Sequence, residues 1–172
     1  LHESWSAALQ ARGTFNKAQE HLDQAIEAWI HYDEPFLRAR AWCLKAGCSS
    51  EAGDFTSAAT SFKTAQKIAV EVEDAPLELC ILTNLAICDI HLGHCKAAAT
   101  RSRRAFVKAE VEGDPEMLLK TLCVRASSYL MVGNFLAACN EYEAARRLIE
   151  EGQVLPPEPH FAVALDTNFG IR

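Results

Sequence analysis

Apolar and small residues return along this chain at a fixed interval. Gly13 opens GTFNKAQEHLDQA, Gly53 opens GDFTSAATSFKTA, Gly93 opens GHCKAAATRSRRA and Gly133 opens GNFLAACNEYEAA, so the glycines stand 40 residues apart. Two residues after each Gly come Phe15, Phe55, Cys95 and Phe135; five after come Ala18, Ala58, Ala98 and Ala138; twelve after come Ala25, Ala65, Ala105 and Ala145. Upstream of the last three glycines, Trp42, Leu82 and Leu122 precede by eleven residues, and Ala46, Ala86 and Ala126 by seven. A large apolar residue and a small one four later share a helical face, which predicts a first helix before each Gly. The residues two, five and twelve after the Gly form the apolar face of a second helix. The Gly itself supplies the backbone freedom to reverse direction.

Each second helix runs into a short acidic segment and a proline: DEP at Asp33, EDAP at Glu73 and EGDP at Glu112, ending in Pro35, Pro76 and Pro115. Proline suits a helix's first turn and acidic side chains favour that end. The next hairpin therefore starts there. The predicted units are 1–34, 35–74, 75–114 and 115–155, followed by a partial fifth over 156–172 that the segment NFG at Asn168 announces. All lie in one helical domain. The chain opens without Met and ends inside a repeat, so it reads as part of a larger protein.

The segment LTNLAICDIHLGHCKAA from Leu82 resembles the tetratricopeptide consensus, with Leu82, Leu85, Ala86, Gly93 and Ala98 at its marked positions and Cys95 in place of the usual aromatic residue. The interval exceeds the roughly 34 residues usual for that motif. It is similar to the long-helix variety found in kinesin light chains and in sensor domains of some bacterial transcription activators. The resemblance implies an all-α fold, a right-handed superhelical α-solenoid of antiparallel hairpins whose concave face is built from successive first helices.

In that family, ligand-facing side chains form a stripe on the first helices. Carried over, the stripe comprises Arg40, Cys43, Gly47, Ser50 and Glu51 in the second unit and Cys80, Thr83, Ile87, Ile90 and His91 in the third. The fourth contributes Lys120, Cys123, Ser127, Leu130 and Met131. The stripe is mostly small or apolar and lacks the Lys and Asn set with which chaperone-binding relatives hold a C-terminal carboxylate. An amphipathic helix or an extended peptide with apolar anchors suits it better. The competing reading packs some of these side chains against the neighbouring hairpin. The expected role is a protein-interaction scaffold or adaptor; the alternative is a ligand- or peptide-sensing domain that controls an attached effector. Self-association through open solenoid ends is a third expectation.

Composition narrows the classes further. With 17 basic and 23 acidic residues among 172, the formal net charge is -6, which opposes a phosphate backbone. No nucleic acid is expected. Seven cysteines, an odd and scattered number, fit a reducing, cytoplasmic setting better than a disulfide framework. No apolar run approaches the roughly 18–20 residues that cross a bilayer, and LHESWSAALQARG is unlike an export signal.

Candidate chemistry is sparse. Cys88, His91, His94 and Cys95 are four metal-ligand types within eight residues. However, Cys95 and Cys88 occupy positions that the repeat fills with packing residues, and Gly93 separates the two helices. No metal or other cofactor is expected. Cys43 and Cys123 occupy equivalent stripe positions without a basic neighbour placed to activate them. Arg101, Arg103, Arg104 and Lys108 read as a solvated outer face. Trp42 belongs to the repeat core, Trp29 lies late in a second helix and Trp5 falls in the first unit. With no phosphate loop, nucleophile elbow or unexplained carboxylate pair, the chain reads as non-enzymatic.

Overall fold

The computed structural model describes residues 15–152 and Val154. The readings placed on Trp5, Gly13 and the partial fifth unit lie outside these residues. Among the described residues seven helices follow one another: α1 (Phe15–His31), α2 (Pro35–Glu51), α3 (Phe55–Glu71), α4 (Ala75–His91), α5 (Cys95–Glu112), α6 (Pro115–Met131) and α7 (Phe135–Glu150). They form antiparallel hairpins, α2 with α3, α4 with α5 and α6 with α7, stacked so that each touches the next. No strand occurs among the described residues.

The turns explain how the chain reverses so tightly. After α2, the Gly53 N–H donates to the Ser50 carbonyl (3.0 Å) and the Asp54 N–H to that of Ser49 (2.9 Å). This paired closure of a helix C-terminus requires a left-handed residue, and Gly53 has φ +81°. Asp54 then caps α3, its carboxylate accepting from the Ser57 N–H at 3.0 Å. The turns at Gly93 and Gly133 close their preceding helices in the same way. Between hairpins, the left-handed position falls on Asp33 (φ +52°), Glu73 (φ +57°) and Gly113 (φ +69°), again 40 residues apart.

A side chain in that conformation costs about 1–2 kcal/mol, against about 0.5–1 kcal/mol of extra chain entropy for glycine. Glu73→Gly should therefore stabilise the fold by about 0.5–1 kcal/mol. By the same balance, Gly93→Ala should destabilise it by about 0.5–1 kcal/mol, although a Cβ there meets nothing within 4 Å. Urea denaturation followed by circular dichroism measures both; equal midpoints for the two variants would contradict the assignment.

Small residues set the helix spacing. Ala46, Ala58, Ala65, Ala86, Ala98, Ala105, Ala126, Ala138 and Ala145 are all fully buried. With no side chain beyond Cβ, they let helix axes approach closely, and larger residues fill the spaces between. Around Phe62, Ile81 and Leu85 one cluster joins α2, α3 and α4, while Leu119, Leu122 and Cys123 join Ala145 in another. The large residue two after the glycine is less consistent. Phe55 is half-buried, but Phe135 is 67% exposed, so this position is no fixed member of the core.

Ion pairs tie individual hairpins together. On α4, Glu78 receives Lys108 (2.7 Å) and Arg104 (3.8 Å) from α5. Near the other end Asp89 pairs with Arg101. In the next hairpin Arg125 lies 3.5 Å over the Phe106 ring and pairs with Glu141. The basic run is thus only partly the solvated face expected of it. Arg103 and Arg104 are exposed, and Arg101, Lys108 and, more distantly, Arg104 reach back to carboxylates on the preceding helix.

Candidate groove and thiol site

Successive first helices pack against one another, α2 on α4 and α4 on α6, whereas successive second helices make no appreciable contact among the described residues. The first helices therefore lie on the inner side of the stack. Side chains from adjacent first helices meet there: Lys120 Nζ on α6 donates to Asn84 Oδ1 on α4 at 3.3 Å, across 36 residues.

Between α2, α3 and α4 this packing leaves an open depression of about 230 Å³, lined by Cys43, Leu44, Gly47, Ser50, Glu51, Phe62 and Asn84. Four stripe residues of the second unit thus line one surface. Gly47 is understandable here, because a larger side chain would intrude on the space its helix borders. Arg40 stands exposed at the edge, its guanidinium 5.6 Å from the Phe36 ring centre.

The stripe on α4 and α6 is less uniform. Ile87 and Ile90 are half-buried. His91 stacks on Phe55, ring centres 3.9 Å apart and nearly parallel. Thr83 is not on the groove: it is fully buried, and its hydroxyl donates to the Leu79 carbonyl at 2.9 Å. Cys123 is likewise buried, packed among Leu119, Leu122 and Val154. Both are buried, as the competing reading of the stripe expects of some members, whereas Cys80, Ile87, Lys120 and Ser127 in the same register stay partly accessible. On α6, Lys120, Ser127 and Met131 are partly accessible and Leu130 is exposed. The Ser127 hydroxyl donates to the Cys123 carbonyl at 3.0 Å.

Leu44, Phe62 and Asn84 were missed by the sequence reading. Leu44 and Phe62 belong to the same hairpin as Cys43 and lay within reach of its spacing, whereas Asn84 comes from the next hairpin and only the packing between units brings it in. Asn84 lies four residues after Cys80, a separation that places both on one face of α4.

Cys80 extends this surface. Its sulfur accepts from the Asn84 amide (3.5 Å), which in turn accepts from Lys120. The Cys43 and Cys80 side chains face each other between α2 and α4. Interaction with Cys43, then the Lys120 charge and the Asn84 amide, pulls the Cys80 thiol down to about 6 despite its burial. Cys43 moves the other way: the Cys80 side chain, then burial, pushes its thiol up, with Lys120 and Arg40 opposing. Neither cation activates Cys43, whose thiol is raised on balance. At Cys123, burial alone pushes the thiol up to about 12.

The four candidate metal ligands do not converge. Cys88 is buried in the core, His91 stacks on Phe55, Cys95 starts α5 and His94 Nδ1 lies 3.4 Å from an Asp89 oxygen. No group of three such residues among the described ones is placed to hold a metal ion. No described helix is long and apolar enough to cross a membrane.

No known family model matches the chain, and no curated protein matches it in sequence. Solved structures do match in fold. The crystal structure of BtubC (BKLC) from P. vanneervenii superposes with a TM-score of 0.80 at 17% identity, over 92% of this chain and 65% of that one. The apo form of RapI gives a TM-score of 0.83 at 18% identity, over 88% of this chain and 56% of that one. The chain is an α-solenoid of helical repeats. It spans less than two thirds of the length of either of these two structures.

Proposed function

We propose that this solenoid is a non-catalytic protein-interaction module of the tetratricopeptide type, which holds a peptide or helical segment of a partner protein along its first helices. The depression beside Cys43 and Gly47 carries this reading. At about 230 Å³ it falls below the roughly 300–1,000 Å³ of small-molecule sites. It suits one apolar anchor side chain, with Ser50, Glu51 and Asn84 available to fix the register of a backbone.

Burying one such anchor supplies about 1.5–3 kcal/mol, whereas micromolar binding needs about 8 kcal/mol. The ligand must therefore extend past the depression, and Ile87 and Ile90 on α4 offer the next apolar surface.

Affinity capture with the wild type and with a Gly47→Arg/Ile87→Glu double variant tests this, once circular dichroism shows both to be folded. Peptides derived from captured proteins should bind the variant at least about tenfold more weakly, a loss of about 1.4 kcal/mol. Equal affinities would move binding off the first helices.

A further inference from the structure

Cys43 and Cys80 differ from the remaining described thiols in being partly accessible and in contact with each other. Cys48, Cys88 and Cys123 are buried, Cys139 is exposed on α7, and Cys95, though partly accessible, donates to the Gly93 carbonyl at 3.4 Å at the start of α5. Cys43 borders the open depression. The pair bridges two hairpins, since Cys43 belongs to α2 and Cys80 to α4. Around it stand Asn84, whose amide donates to the Cys80 sulfur, Lys120, which donates to that amide, and Arg40 on the α2 side. Glu51 also lines the depression, about two turns along α2 from Cys43, but the charges acting on the two sulfurs are those of Lys120 and Arg40, and a cationic neighbour stabilises the thiolate, the nucleophilic form of cysteine.

We propose that Cys43 and Cys80 form a redox-active thiol pair, closed to a disulfide by hydrogen peroxide and reopened by a small thiol, that links the second hairpin to the third at the edge of the groove. The Cys80 thiolate attacks one oxygen of the peroxide. The O–O bond breaks, Cys80 becomes a sulfenic acid, and the departing hydroxide takes up a proton to leave as water. The Cys43 sulfur then attacks the Cys80 sulfur, the S–O bond breaks, and the hydroxyl leaves as a second water with the Cys43 proton. Two thiols lose two electrons in all, and one peroxide becomes two waters. The order of events follows from the surroundings of the two sulfurs: the Asn84 amide donates to Cys80, and Lys120 donates to that amide. The thiolate next to Lys120 and Asn84 reacts first, and its conversion to the sulfenic acid removes the negative charge that held the proton on Cys43. Return to the open pair is ordinary thiol–disulfide exchange.

The test uses the full chain in dilute solution, with and without Cys139→Ser to exclude crosslinks between molecules. After peroxide treatment and blocking of free thiols, non-reducing peptide mapping should show a Cys43–Cys80 linked peptide that glutathione removes. In Cys43→Ser, oxidation should stop at the Cys80 sulfenic acid or proceed to the sulfinic acid. In Cys80→Ser, Cys43 should remain a thiol. Lys120→Met should raise the pH midpoint of Cys80 alkylation, a shift that a purely structural role for Lys120 would not produce. A wild-type chain without the linked peptide overturns the proposal, whether Cys80 is over-oxidised, bonded elsewhere or unreacted.

Discussion

Phe62→Ala is expected to lower the free energy of unfolding by about 3–5 kcal/mol, the range for emptying a buried aromatic site. Phe62 is the largest side chain among the fully buried ones. Its neighbours in the cluster are mostly small: Ala46, Ala58, Ala59, Ala65, Ala69 and Cys88. Such residues have no flexible ends with which to fill a void, so the cavity should persist. Because the cluster joins α2, α3 and α4, the loss should loosen the interface between the second and third hairpins as well as the second hairpin itself. Amide hydrogen exchange should show faster opening over residues 35–91 than in α7. A cost below about 1 kcal/mol would mean that the surrounding helices collapse onto the vacated space.

The second large effect is expected at Arg101. Its partner Asp89 has only 7% of its side chain exposed, and the nearby His94 is mostly in solvent. Removing the guanidinium strands a buried carboxylate, which typically costs about 3–5 kcal/mol. Arg101→Met should fall in that range. Replacing both partners is different in kind, because an apolar pair of similar volume avoids the desolvation of two charges. Asp89→Leu/Arg101→Met should therefore recover most of the loss, giving a coupling of more than about 2 kcal/mol in a double-mutant cycle. Additive effects would show the pair to be solvated and energetically minor.

How much of this was legible beforehand depended on whether a feature repeats within one unit. The buried alanines recur at the same offsets from Gly53, Gly93 and Gly133, so their role could be read from spacing alone. Relations between units were hidden. Cys43 meets Cys80 and Asn84 meets Lys120 through the packing of adjacent first helices, which leaves no mark on the sequence of either helix. The same gap placed Thr83 and Cys123 on the groove when they face the core. Arg104 and Lys108 looked solvated because Glu78 lies 26 and 30 residues away. At such distances only the fold brings charges together.

The appreciable contacts between helices join elements that are adjacent or one apart along the chain. No described strut holds the first hairpin to the last, so a small rotation at each interface adds to the next. Mechanically the molecule is a spring: its stiffness resides in a few thin joints, and clamping one of them changes the pitch of the whole coil.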